Sequence, residues 1–197
     1  HHIDYEKGTI ELDGKEYKLL DSNFPTIDPK KPYALTKEEE DIMERLERAF
    51  ENCEKLQRHM HFLLNKGGLY KVYNGNLLYH GCVPLKEDGS LKSVRIFGHT
   101  YKGKGLYEVL ESYVRKGFYA MDSKEKERGK DIMWYIWLSE NSPLFGKDKM
   151  ATFERYFLAE KETHREKKNS YYLLLEDEKV IDRILKEFGL ENEDAHI

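Results

Sequence analysis

Residues 76–85 of the chain spell NLLYHGCVPL, a short apolar strand that runs into a histidine, a glycine and then a proline. Neutral imidazole is the commonest metal ligand in proteins, and α/β sheets bind ligands where their strands end. Gly81 lets the backbone bend sharply and lets a metal or a substrate come close. His80, between Tyr79 and Gly81, therefore has the setting of a metal-binding corner, but one histidine alone does not make a site.

The composition excludes several classes of protein. The chain has 197 residues, a formal net charge of −4 and 36% charged residues. This size suits one domain, or one domain with an appendage, and the charge gives no basic footprint for nucleic acid or an anionic membrane. No apolar run approaches the ~20 residues that cross a bilayer. Cys53 and Cys82 lack the spacing of a disulfide framework, which favours a reduced, cytoplasmic setting.

The organisation expected along the chain has three parts. His1 and His2 are interpreted as a tag remnant. Residues 3–34 are predicted to form a hairpin that turns at Asp13–Gly14 and an extended, proline-containing connector. Residues 35–197 are predicted to form the larger domain. Both ends of the sequence suggest a piece of a longer protein.

A long helix is predicted over residues 36–66. Thr36 and Glu39 have the spacing of a capping box, and Gly67–Gly68 ends the segment. Apolar residues recur at alternating four- and three-residue steps, as a heptad stripe: Ile42, Leu46, Ala49, Cys53, Leu56, Met60 and Leu63. The stripe favours a helix that packs on a core, with a dimeric coiled coil as the alternative.

The rest of the chain alternates between hairpin and helix patterns, which predicts a mixed α/β fold. A hairpin is expected to turn at Asn74–Gly75, with a further strand in SVRIFGH, residues 93–99. Helices are expected near residues 106–117, 123–138 and 180–188.

Other histidines are weaker candidates for a metal site. His59 and His61 would lie ~200° apart on a helix, so they cannot converge on one ion, and Cys53 belongs to the apolar stripe. His99 follows Gly98 after an apolar segment, but an ordinary loop histidine explains it more simply.

The opening stretch also carries a family resemblance. LLYHGCVPL is similar to the apolar-apolar-His-Gly-Gly element of the metallophosphoesterase (calcineurin-like) superfamily, with Cys82 at the second glycine. Nearly the whole chain resembles the firmicute-type, class III fructose-1,6-bisphosphatases of that superfamily, in the strings NCEKLQRHMHFLLNKGGLYKVYNGNLLYHGCVPL, MWYIWLSENSPLFGK, GKDKMATFERYF and AEKETHREKKNSYYLL.

The resemblance implies a cytoplasmic hydrolase of gluconeogenesis. Such an enzyme converts fructose 1,6-bisphosphate to fructose 6-phosphate at a two-metal site, with manganese as the usual metal. Residues 35–197 would then be part of a metallophosphoesterase-like αββα sandwich with a helical insertion. The chain would be an internal or C-terminal-half fragment of the parent enzyme, and inactive alone, because a metal site needs several converging donors.

The resemblance carries over few functional residues. His80 corresponds to one metal ligand. The other ligand elements would lie before residue 3 and after residue 197, and His196 is then not a ligand. Five basic residues are candidates for binding sugar phosphate: Lys147, Arg155, Lys161, Lys167 and Lys168. A solvated surface charge is the simpler interpretation of each lysine, whereas Arg155 sits among apolar neighbours in TFERYF.

Two alternatives to the sugar bisphosphatase stay open. The chain could be a non-catalytic interaction or regulatory module that self-associates into a homo-oligomer through the heptad-striped helix. It could also belong to a phosphatase of the same superfamily that acts on another substrate, such as a phosphoprotein. No nucleic-acid or membrane partner is expected in any of these interpretations.

Overall fold

The structure is a computed structural model that describes residues 3–191. Two expectations therefore lie outside the described residues. These are the tag remnant at residues 1–2 and the expectation that His196 is not a metal ligand.

The described residues form seven strands and six α-helices, joined by turns and two short 3₁₀ helices. The strands are β1 (Ile3–Asp4), β2 (Thr9–Leu12), β3 (Lys15–Lys18), β4 (Tyr70–Tyr73), β5 (Asn76–Tyr79), β6 (Val94–Ile96) and β7 (His99–Tyr101). The α-helices are α1 (Lys37–Glu51), α2 (Glu54–Lys66), α3 (Gly103–Tyr119), α4 (Ser123–Leu138), α5 (Thr152–Phe157) and α6 (Glu178–Glu187). The 3₁₀ helices are Lys161–His164 and Ser170–Leu173.

The mixed α/β class is confirmed. The strands pair into three antiparallel sheets, ordered β1-β2-β3, β4-β5 and β6-β7. The predicted turns at Asp13–Gly14 and Asn74–Gly75 join β2 to β3 and β4 to β5. Over residues 3–191 the sheets are thus small hairpins, and the two large packed sheets of the expected sandwich are not among them. Within the same range no helix is both long and apolar enough to cross a membrane.

The chain divides into two compact units. Among the described residues, unit 1 contains residues 3–65 and 151–165, and unit 2 contains residues 66–150 and 166–191. The sequence-predicted boundary at residue 35 is a different kind of division and stays a prediction.

Unit 2 holds most of the buried apolar side chains. Helices α3 and α4 pack closely because Gly117 and Gly129 face each other, and a Cβ at either glycine would overlap the other glycine's backbone. Around this crossing lies one core cluster, made of Ile96, Leu106, Leu110, Ile132 and Ile136. A second cluster joins the end of β5 to α6 and includes Leu77, Val83, Tyr107, Ile184 and Phe188.

Unit 1 has a smaller core, formed by Ile10, Leu19 and Leu158. The single helix expected over residues 36–66 is wrong, because the structure has α1 and α2 with a break at residues 52–53. The side chain of Asn52 donates to the carbonyl of Arg48 at 2.7 Å, so it caps α1 about three turns before the apolar stripe ends at Leu63. Neither α1 nor α2 contains a buried residue.

Candidate functional site

The opening stretch forms β5 and the turn that follows it. Successive side chains of a strand point to opposite faces, and here Leu77 and Tyr79 turn inward while Leu78 and His80 are exposed. His80 follows directly after the last residue of β5 and lines an open groove of about 600 Å³ beside Leu144 and Glu111. The imidazole is therefore held at the end of a strand and accessible from solvent, as a ligand must be.

Gly81 is required by its surroundings. Its φ of +93° lies in the left-handed region that favours glycine, and a Cβ there would overlap the carbonyl oxygen of Pro143. That carbonyl accepts a hydrogen bond from the amide of Cys82 at 2.8 Å. The glycine thus lets the turn after His80 lie directly against the segment around Pro143.

An aromatic cluster supports the inner side of this corner. The hydroxyls of Tyr79 and Tyr171 share a hydrogen bond of 2.6 Å, and Tyr107 donates to the carbonyl of Cys82 at 2.8 Å. Burial, followed by the hydrogen bond to Tyr171, raises the pKa of Tyr79 above its ordinary value. Burial raises the pKa of the Cys82 thiol to about 12. Both groups are neutral near pH 7, and the hydroxyl that holds the backbone of the corner is that of Tyr107.

The described residues do not complete a metal site. Within residues 3–191, no three His, Cys, Asp or Glu side chains come together in a way that would hold an ion. Glu111 shares the groove of His80, but its carboxylate already accepts hydrogen bonds from Arg115 and from the amide of Leu69. His80 is one exposed donor, and its role as a ligand stays a prediction.

A second feature of unit 2 is a charged cleft of about 460 Å³, lined by five lysines and four acidic side chains, which we call the lysine cleft. Five lysines line it: Lys86, Lys92, Lys147, Lys167 and Lys168. The other polar lining residues are Glu87, Asp88, Glu140, Asn141, Asp148, Asn169 and Ser170. The cleft is built from loops, and it brings together three of the lysines predicted to bind sugar phosphate: Lys147, Lys167 and Lys168.

Backbone pairing holds these loops in register. Lys147 and Lys168 form an isolated antiparallel bridge, and the amide of Asp148 donates to the carbonyl of Lys167 at 3.0 Å. The Asn169 carboxamide accepts from the amide of Leu85 at 3.0 Å, which ties in the third loop. The positions of the lysine backbones are therefore fixed, although most of their side chains are exposed.

The lysines of the cleft differ in their partners. Lys147 donates to Glu166 at 2.7 Å, and that carboxylate side chain is only 9% exposed. The ammonium group of Lys168 lies 5.5 Å from the centroid of the Tyr172 ring. Lys167 lies 3.5 Å from Glu87 in an exposed pair that contributes little. A buried carboxylate thus orients Lys147, and an aromatic ring supports Lys168.

The other predicted binding residues lie elsewhere. Arg155 is in α5 and Lys161 is in the first 3₁₀ helix, both in unit 1 and both exposed. Arg155 donates to the carbonyl of His164 at 3.4 Å, and the buried residue of its helix is Glu154 instead. Roles for Arg155 and Lys161 in binding stay predictions.

Sequence reasoning missed Lys86 and Lys92. They flank the turn around Gly89, and only the loop pairing above brings them to the cleft. The one available signal was the lysine–glycine turn KEDGSLK, residues 86–92. His99, exposed at the start of β7, and Cys53, exposed between α1 and α2, join no such cluster of candidate ligands in the described part of the chain.

Comparisons with known proteins agree on one family. The sequence model described as "Firmicute fructose-1,6-bisphosphatase" matches residues 1–197. Similar curated proteins include the class 3 fructose-1,6-bisphosphatase of Listeria innocua, 52% identical over 200 residues. Those of Clostridium acetobutylicum and Clostridioides difficile are 53% and 54% identical over 196 residues.

Each match covers 99% of this chain but only 30% of the relative. The chain therefore spans under a third of the length of these curated proteins, and its position within the parent stays a prediction. No solved structure matches the chain.

Proposed function

The chain belongs to the firmicute fructose-1,6-bisphosphatase family, and from this membership we propose that its parent enzyme hydrolyses the 1-phosphate of fructose 1,6-bisphosphate. The observation that carries the proposal is the family match across the whole chain, with identities above 50% to class 3 enzymes. The product would be fructose 6-phosphate, the setting gluconeogenesis and the compartment the cytoplasm.

In this proposal His80 supplies one donor to a divalent metal, and manganese is the metal we expect. Its exposure at the end of β5 and the rigid turn at Gly81 support that role. The described residues alone do not complete the site, so the other donors would come from the rest of the parent. When bound, such a metal clamps phosphate oxygens and lowers the pKa of a bound water.

The lysine cleft would hold a phosphate group of the sugar. Lys168 and Lys147 lie on neighbouring, paired segments, so two ammonium groups can approach one anion. Glu166 holds the ammonium group of Lys147 in place and leaves that side chain 38% exposed. We also propose Arg155 and Lys161 as phosphate-binding residues, supported only by the family resemblance.

The chain alone should lack phosphatase activity, since His80 has no converging donors in the described residues. We expect the isolated 197-residue chain to release no phosphate from fructose 1,6-bisphosphate with Mn²⁺ present. Metal-dependent turnover by this chain would contradict the assignment of the missing donors to the rest of the parent.

The test of His80 uses the parent enzyme and a matched histidine. His80→Ala should lower kcat/KM by more than about 100-fold and reduce the bound manganese, because losing a ligand costs at least as much as losing its outer partner. His99→Ala, at another exposed histidine, in the β6–β7 hairpin, should leave both unchanged. Equal effects of the two substitutions would overturn the role of His80.

The test of the lysine cleft separates binding from folding. Lys168→Ala in the parent should raise KM about 10-fold, because a charge-assisted hydrogen bond to the phosphate is lost. Lys168→Arg, which keeps the charge, should bring KM most of the way back to the wild-type value. Lys124→Ala, at an exposed lysine of α4, is the control. An unchanged KM for Lys168→Ala would exclude the cleft as the phosphate site.

A further inference from the structure

We propose that the chain dimerises through α1 and α2, with α1 of one copy packed against α2 of a second copy. The pairing would be two-fold symmetric, so that each copy contributes both helices. The inference concerns unit 1 alone and is independent of the proposed phosphatase activity.

The first observation is an apolar face that stays exposed among residues 3–191. In α1, Ile42, Met43, Leu46 and Phe50 fall within an arc of about 100°, and in α2 Phe62 and Leu63 are adjacent. All six side chains are between 47% and 65% exposed. Helices as short as α1 and α2, with 15 and 13 residues, are marginal in water without tertiary packing, so this face needs a partner.

The second observation is charge, and it selects the partner. Helix α1 carries seven acidic and three basic side chains. Helix α2 carries one acidic side chain, three basic ones and two histidines. An acidic apolar helix and a basic apolar helix are complementary, whereas two copies of α1 would repel each other. A second copy of this chain offers both matches at once.

Specific charges border the apolar faces. On α1, Glu40 and Glu47 lie beside Met43 on the helical wheel, and on α2 Arg58 and Lys55 lie one and two turns before Phe62. All four side chains are exposed. They are the charges that the proposed pairing brings together, and they make it testable by exchange.

The experiment measures dimerisation by sedimentation equilibrium of the 197-residue chain and two double variants. Lys55→Glu/Arg58→Glu makes α2 acidic, and Glu40→Lys/Glu47→Lys makes α1 less acidic and places new lysines opposite basic α2. Each variant alone should dimerise about 10- to 100-fold more weakly than the wild type. An equimolar mixture of the two should recover wild-type affinity, because each helix then meets an opposite charge.

Several results decide the proposal. Recovery in the mixture supports it and excludes misfolding of the variants, since misfolded chains cannot rescue each other. The control Lys124→Glu/Lys126→Glu, an equal charge change on the exposed start of α4, should dimerise like the wild type. Three results would overturn the pairing: a wild-type chain that is monomeric at about 100 μM, a variant with unchanged dimer affinity, or a mixture that dimerises as weakly as its components. A monomeric wild-type chain would assign the apolar face to another segment of the parent.

Discussion

Two pairs of consecutive helices, α1–α2 and α3–α4, are similar in length and differ in what covers them. Helices α3 and α4 have 17 and 16 residues, and together they contain seven buried residues. Helices α1 and α2 have 15 and 13 residues and bury none. Amphipathic spacing thus predicts a helix in both regions. The contact between Gly117 and Gly129 lets α3 and α4 pack closely against each other.

The largest expected effect tests this difference with a matched pair of leucines. Leu110→Ala should lower the free energy of unfolding of unit 2 by about 2–5 kcal/mol, because Leu110 is fully buried in α3 and its removal leaves a cavity. Leu46→Ala in α1 should lower the free energy of unfolding of the monomer by less than about 0.5 kcal/mol, because substitutions at exposed positions usually change stability by no more than that. Urea unfolding of dilute protein, followed by hydrogen exchange of peptides from each unit, measures both.

A large cost for Leu46→Ala in dilute protein would show that α1 is covered within one chain. A small cost for Leu110→Ala would contradict the core described for unit 2.

A second comparison sets one crowded glycine against one open glycine. Gly81→Ala in unit 2 should destabilise by about 2–4 kcal/mol, because the new Cβ meets the carbonyl of Pro143 and φ is positive. Gly14→Ala in unit 1, at φ +75° with no atom near the added Cβ, should cost only the conformational strain of about 1 kcal/mol. Thermal unfolding of the two variants gives the ranking, and a reversed ranking would mean that the corner after His80 rearranges freely.

The smallest effect concerns helix caps. Thr36 accepts from the amide of Glu39, and Glu39 accepts from the amide of Thr36, as a capping box. Thr36→Ala should cost about 1 kcal/mol, and the loss should appear as faster hydrogen exchange throughout α1, because packing does not compensate. Asp122→Ala at the cap of α4 should speed exchange only in the first turn of that helix. If faster hydrogen exchange extended equally far along α1 and α4, the two helices would not differ in how much their packing stabilises them.

Local signals in the sequence identified much of the fold. The capping box at Thr36, the hairpin turns at Asp13–Gly14 and Asn74–Gly75, and the helix stop at Gly67–Gly68 depend on contacts within a few residues, and the structure has them all. The break between α1 and α2 escaped prediction because the stripe continues through Cys53, while a single side chain, Asn52, ends the first helix. Periodicity averages over many residues and hides one cap.

The candidate site was predicted less completely, for a similar reason. The resemblance directed attention to His80, and the alternation along β5 explains its exposure. The lysine cleft depends instead on pairing between residues 147–148 and 167–168 and on a side chain of Asn169 that reaches Leu85. No short window of sequence contains those partners, so nothing in it placed Lys86 or Lys92 beside Lys147.

The bridge between Lys147 and Lys168 has a consequence for modularity. The chain leaves unit 2 after residue 150 and returns to it at residue 166. Hydrogen bonds between Asp148 and Lys167 join the two chain segments that flank this stretch. When the two ends of a segment are joined at its base, a change in the length of the segment has little effect on the structure at that base. Residues 151–165 can therefore vary in length without shifting the register of the cleft floor, provided that Leu158 still completes the small core of unit 1.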